Sequence, residues 1–171
     1  MYLKKVAIVG PESTGKSVLS EKLAAYFQTE WAPEYARAYL ESLGRPYTRE
    51  DLAKIARGQL AVEDELIKKA NRVLICDTNL VVIKIWSDVK YGECDRWIVE
   101  EMESRHYDLY LLTYIDLPWE YDPLREHPDM REYLFEKYES VLKRMSAPFV
   151  VIEGDYVERF EKAKTAIERL L

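Results

Sequence analysis

The sequence is poor in cysteine, lacks long apolar runs and carries no excess of positive charge. Its two cysteines, Cys76 and Cys94, are too few for a disulfide framework. Cys76 sits inside an apolar run, as a small buried hydrophobe in a reducing compartment would. The basic start Met1–Lys5 is followed only by Val6–Val9 before Gly10, short of the about 7–15 apolar residues of a secretory segment. No stretch approaches the roughly 18 apolar residues of a membrane span. A cytoplasmic protein without a membrane partner is expected. With 25 basic and 31 acidic residues the net charge is -6. The bulk positive field that drives non-specific nucleic-acid binding is missing, so no nucleic-acid partner is expected. Repeats, low-complexity tracts and Gly/Ser linkers are missing too. The 171 residues therefore read as one domain, 1–171.

What is present is globular. The chain is 48% hydrophobic and 33% charged, with a mean hydropathy of -0.35. A chain of this size buries roughly 70% of its unfolded surface, enough to fold without disulfide or structural metal. Short apolar runs at Val6–Val9, Val73–Cys76, Leu109–Thr113 and Phe149–Ile152 read as parallel strands buried on both faces. A weaker strand signal lies near Glu30–Trp31. Helical patterns follow from Ser17 to Phe27, from Thr48 (with Asp51 as a capping box), from Arg131 to Met145 and from Val157 to Leu171. This alternation predicts a three-layer α/β/α fold on a mainly parallel sheet. Residues 116–131, with Pro118, Pro123 and Pro128 among charges, read as a long functional loop or lid.

The strongest motif is Gly10-Pro11-Glu12-Ser13-Thr14-Gly15-Lys16-Ser17. It is a complete G-x-x-x-x-G-K-[ST] loop between a strand and a helix. Gly10 and Gly15 allow a tight turn whose amides point at phosphate oxygens, at a helix N-terminus that favours anions. Lys16 would bridge the β- and γ-phosphates of ATP, and Ser17 would ligate Mg²⁺. Ser13, Thr14 and Val18 complete the expected nucleotide contacts. Glu12 is counted with them, at a variable position expected to be solvated.

Asp77 ends the apolar run Leu74–Cys76 at the ligand-binding edge of the sheet. It either holds Mg²⁺ and orients an acceptor hydroxyl, or caps the following helix. Thr78 stands where many P-loop ATPases place a water-polarising glutamate, and no Asn-Lys-x-Asp guanine motif occurs. Both absences favour transfer to a small molecule over hydrolysis. Arg125 and Arg131 either neutralise a transferring phosphoryl group or form surface pairs with Glu126, Asp129 or Glu132. In Trp31–Arg37, Trp31 or Tyr35 could stack on a ring, Glu34 could act as base or bind ribose, and Arg37 could fix a substrate. The alternative makes Trp31 and Tyr35 core residues and Glu34/Arg37 a surface pair. Tyr156, after the last strand, either contacts adenine or belongs to a plain strand–helix turn.

Gly10–Ser17, Glu34-Tyr35-Ala36-Arg37, Gly58-Gln59, Asp77-Thr78 and Pro118-Trp119 with Asp122 and Arg125 resemble, in order and spacing, one family. It is the ribosylnicotinamide kinase domain of bifunctional NadR-type NAD-biosynthesis proteins, within the P-loop kinases and AAA-like ATPases. The resemblance covers nearly the whole chain. It implies transfer of the ATP γ-phosphate to the 5′-hydroxyl of nicotinamide riboside, giving nicotinamide mononucleotide. Glu34, Tyr35, Arg37 and Asp77 would surround acceptor and metal, Arg125 and Arg131 would act from the lid, and Trp119 and Asp122 would close over the nucleoside. Asn79 departs from the second aspartate of such relatives, removing a negative charge near a cationic pyridinium. No adenylyltransferase or helix-turn-helix module is expected. The alternatives are a kinase for another nucleoside and a regulatory ATPase acting on a protein.

Overall fold

The computed structural model describes residues 2–171; Met1, the first residue of the expected domain, lies outside them. In chain order the elements are β1 (Lys4–Val9), α1 (Lys16–Phe27), β2 (Trp31–Ala32), α2 (Tyr35–Leu43), α3 (Arg49–Leu66), β3 (Val73–Asp77), α4 (Leu80–Tyr91), α5 (Arg96–Ser104), β4 (Leu109–Thr113), α6 (Arg131–Arg144), β5 (Phe149–Ile152) and α7 (Tyr156–Glu168). The strands form one five-stranded sheet in the order β2-β3-β1-β4-β5, and every pairing is parallel. Each apolar run of the sequence is a strand, and the weak signal at Trp31 is the short edge strand.

The sheet is buried on both faces, which is why its central strands are continuously apolar. Val6, Ile8, Ile75, Leu109 and Leu111 pack on one side against Leu19, Leu23 and Phe27 of α1 and Ala163 and Ile167 of α7. Ala7, Val9, Leu74, Cys76, Tyr110 and Leu112 pack on the other against α3, α4, α5 and α6. Successive residues of a strand point to opposite faces, so one run feeds two cores. Trp31 belongs to the α1/α7 core, its structural alternative. No helix among the described residues is long and apolar enough to cross a membrane.

α3 starts as its sequence predicts. The Asp51 carboxylate accepts from the Thr48 backbone at 2.8 Å and from the Thr48 hydroxyl at 3.1 Å. α4 was not legible. Its start, Leu80-Val81-Val82-Ile83, is β-branched and apolar all round, as in a helix enclosed by protein. Asn79 caps it, its side chain accepting from Val81 N at 3.0 Å.

Candidate functional site

The loop between β1 and α1 is shaped by two close approaches. Gly10 has φ +148°, and a Cβ there would lie 2.3 Å from Thr113 Oγ1 and 2.8 Å from the Thr113 carbonyl. Only glycine lets the loop rest on the end of β4. The Thr14 hydroxyl lies 2.7 Å from that of Thr113 and donates to the Pro11 carbonyl at 2.7 Å. Gly15, at φ +76°, precedes α1, so the first free amides of α1 point out of the sheet edge.

Lys16 is folded against its own loop, donating to the Gly10 carbonyl at 3.0 Å and the Pro11 carbonyl at 2.7 Å. Burial lowers its pKa, against the opposing pull of Glu34, Asp77 and Glu12. The Ser17 hydroxyl donates to Asp77 Oδ2 at 2.6 Å, while Asp77 Oδ1 is buried without a partner. Burial, then the charge of Glu34, push the Asp77 carboxyl up to about 6, against the Ser17 bond and Lys16. An orphaned buried carboxylate oxygen beside a serine hydroxyl suits a hard divalent cation. Among the described residues no cluster of three or more His, Cys, Asp or Glu could cage a metal.

Asp77 does not cap α4; Asn79 does. Between them Thr78 adopts φ +68°, a strained conformation for a β-branched residue, costing about 1–3 kcal/mol. This turn lets Asp77 face the P-loop while Asn79 faces α4. Asn79 is 1% exposed and donates to the Tyr110 hydroxyl at 3.3 Å. It is a buried cap of α4 and does not line the cleft.

The P-loop forms the floor of a cleft of about 1220 Å³, open mouth included. Gly10 to Val18 line it at one end, with Tyr156. The other end is walled by Ala36, Arg37 and Leu40 of α2, Val82, Ile85, Trp86 and Val89 of α4, and Leu134 and Tyr138 of α6. Glu34 also lines it, close enough for its charge to act on Lys16, Asp77 and Tyr138, and Pro118, Glu120, Leu124, Arg125 and His127 line it from the 116–131 loop. Trp86, His127 and Tyr138 carry no motif, and sequence reasoning missed them. Each is an isolated residue on a separate element, and only the fold brings them together. Tyr156 is the first residue of α7, which Asp155 caps through Val157 N and Glu158 N, each at 2.9 Å, and its side chain lines the cleft beside the P-loop.

Several expected site residues are placed elsewhere. Tyr35, Asp77, Trp119, Asp122 and Arg131 do not line the cleft. Asp77 sits beneath it, behind Ser17. Tyr35 packs on α3: its amide donates to Gln59 Oε1 at 3.0 Å, and its ring covers Gly58. A Cβ at Gly58 would lie 2.1 Å from that ring. The Gly58→Ala variant should therefore lose about 1–3 kcal/mol through overpacking, read as a lower midpoint in thermal unfolding; an unchanged midpoint refutes the contact.

Trp119 lies beside Arg131, with 5.8 Å from guanidinium to ring centre. Arg131 donates to the carbonyls of Ser13 at 3.2 Å and Leu117 at 2.9 Å. Arg125 donates to the Glu120 carbonyl. Neither arginine pairs with Glu126, Asp129 or Glu132 among the described residues. Arg37 does not pair with Glu34; it reaches Asp122 at 3.1 Å and Glu41 at 3.6 Å. The Asp122 carboxyl is held below its usual range by the Leu124 amide and by Arg37. Glu12, expected to be solvated, accepts from Glu126 N at 3.1 Å and His127 N at 3.0 Å. The Ser13 hydroxyl donates to the Pro118 carbonyl at 3.3 Å and accepts from Glu120 N at 2.9 Å. The 116–131 loop is thus fastened to the P-loop itself, chiefly through backbone groups.

Among known proteins, the family described as AAA domain matches residues 5–159. The trifunctional NAD biosynthesis/regulator protein NadR of Salmonella typhimurium is 30% identical over 179 aligned positions, covering 99% of this chain and 43% of that protein. The chain thus spans less than half the length of that relative. A crystal structure of NadR protein in complex with NR superimposes with a TM-score of 0.81 at 21% identity, over 98% of this chain and 50% of that one. A deoxyadenosine kinase from M. mycoides superimposes with a TM-score of 0.61 at 17% identity, over 98% of this chain and all of that one.

Proposed function

The chain belongs to the AAA domain family, and from that premise we propose that it is a kinase transferring the γ-phosphate of ATP to the 5′-hydroxyl of nicotinamide riboside. The observation that carries the reading is one cleft with two unlike ends. A P-loop with Lys16 and Ser17 lies at one, an apolar and aromatic pocket at the other, and Glu34 lines the same cleft. Likeness to NadR over 99% of the chain supports the choice of acceptor.

In this mechanism the amides of residues 10–17 and the Lys16 ammonium hold the triphosphate. Lys16 exchanges its loop carbonyls for β- and γ-oxygens. Ser17 and Asp77 would hold Mg²⁺, which supplies charge neutralisation on the phosphates when bound. Glu34 is better placed than Asp77 to act as base. It lines the cleft, and it makes no hydrogen bond or ion pair among the described residues, whereas Asp77 is engaged by Ser17. The acceptor hydroxyl oxygen attacks the γ-phosphorus, its proton passes to Glu34, and ADP leaves. The same carboxylate faces a cationic substrate favourably. Arg125 is the loop cation that lines the cleft and would meet the transferring phosphoryl group. Arg131 acts at one remove, through the Ser13 carbonyl. Residues 116–131 serve as the lid, with Arg37–Asp122 and Glu12 as its latches, and exclude water from the transfer.

The test is transfer of labelled γ-phosphate from ATP to a nucleoside panel. Nicotinamide riboside should be the best acceptor. ATP binding with no phosphorylated nucleoside refutes the kinase reading; a better acceptor corrects the substrate. Glu34→Ala should lower kcat by about 10²–10⁴, the usual contribution of a general base, with ATP affinity near wild type. A parallel loss of ATP affinity would remove Glu34 from the acceptor side.

A further inference from the structure

Arg159 lies on α7, and none of the roles above uses it. It is 2% exposed. Its Nε donates to the Gly154 carbonyl at 2.8 Å, and one Nη donates to the Thr14 carbonyl at 3.0 Å. The other Nη donates to the Tyr114 carbonyl at 2.8 Å and to the Asp116 carboxylate. Asp116 in turn accepts from Gly154 N at 2.6 Å. Three segments around the nucleotide end of the cleft thus meet on one guanidinium. They are the P-loop at Thr14, the exit of β4 into the 116–131 loop, and the turn into α7 that carries Tyr156.

The Thr14 contact has a direct geometric consequence. The Thr14 carbonyl and the Gly15 N–H belong to one planar peptide. Fixing the carbonyl outward, on Arg159, fixes that N–H toward the opposite side, into the loop where a phosphate would bind. Gly15 has no Cβ and sits at φ +76°, so its own side chain cannot hold that peptide in place. A guanidinium can engage this carbonyl, two others and a carboxylate at once, because its donors form a planar fork. A lysine ammonium has three donors and no such plane.

We propose that Arg159 is a positioning residue for the P-loop, anchored by Asp116. It holds the Gly15 amide toward the triphosphate and ties that orientation to the root of the 116–131 loop and to Tyr156. The inference rests on the reading of the cleft as a nucleotide site. It does not depend on which acceptor is phosphorylated.

The experiment compares wild type, Arg159→Lys and Asp116→Asn as full chains. A fluorescent ATP analogue measures nucleotide affinity, and steady-state transfer is measured with ATP and nicotinamide riboside varied separately. Arg159→Lys should still unfold cooperatively, yet weaken analogue binding and raise the KM for ATP by about 10–100-fold, since displaced binding groups cost up to about 10². The KM for nicotinamide riboside should stay within about twofold, because the acceptor end makes no contact with Arg159. Asp116→Asn should shift the same parameters in the same direction by less. A lowered thermal midpoint with wild-type analogue affinity and ATP KM would make Arg159 purely structural and overturn the proposal. Should Arg159→Lys fail to fold, Asp116→Asn decides by the same readout. If wild type binds the analogue but phosphorylates no nucleoside, the kinase reading fails while analogue affinity still judges Arg159. If wild type does not bind the analogue, both fail.

Discussion

The Lys16→Ala variant is expected to lose about 10³-fold in phosphoryl transfer, the scale at which a preorganised donor to developing charge acts. Lys16 is half-buried, and its ammonium is held by two carbonyls of the P-loop. Its ammonium thus already lies within the loop whose amides would hold the phosphates. Removing it also leaves the Asp77 carboxylate, which its charge favours, with less compensation. The fold itself should survive, since the side chain of Lys16 belongs to neither core cluster. The measurement is single-turnover transfer from ATP under saturating acceptor, with a thermal melt as control. Transfer within about tenfold of wild type would mean that the cleft does not use a P-loop lysine.

Asp77→Asn should separate stability from function. In the folded chain the Asp77 carboxyl is raised from its ordinary 3.8 to about 6, first by burial and then by Glu34. The folded state therefore binds a proton more tightly than the unfolded state. Stability from this group is greatest below about pH 4, falls as pH rises toward 6, and stays low above it. A shift of about two units corresponds to roughly 3 kcal/mol. Asparagine cannot ionise but can still accept from Ser17. The variant should be more stable than wild type at pH 7 in the absence of nucleotide, by on the order of 2–3 kcal/mol. It should also lose transfer and the added stabilisation that wild type gains from Mg²⁺ with ATP. Urea unfolding at pH 5 and pH 7, with and without Mg²⁺ and ATP, tests both halves. A variant less stable than wild type at pH 7 would show that the Asp77 charge is compensated in the fold.

The elements legible in the sequence were those whose signals are local. The P-loop is eight consecutive residues, 10–17, between a strand and a helix. The strands were short apolar runs, and α3 announced itself by Thr48 and Asp51. The Glu34–Arg37 motif was legible as a pattern, but its parts divide in the fold. Glu34 lines the cleft, while Tyr35 locks α2 onto α3 through Gly58 and Gln59. This explains why Gly58-Gln59 accompanies the motif at a distance: the glycine makes room for the ring, and the glutamine receives the amide. The acceptor end of the cleft had no such signature. Leu40, Trp86, Leu134 and Tyr138 come from three helices, and α4 hid among β-branched residues that read equally well as strand.

By itself the sequence determined a parallel α/β sheet, a phosphate-binding loop at its edge and an aspartate one strand away, because neighbouring residues encode each of these. The tertiary structure decided which chemically able side chains face the cleft. Arg125 does and Arg131 does not; Glu34 does and Tyr35 does not. The physical reason is that facing is set by partners distant in the chain. Glu12 meets the amides of Glu126 and His127, Arg37 meets Asp122, and Arg159 meets Thr14. These contacts form only after the sheet order has brought their segments to one edge.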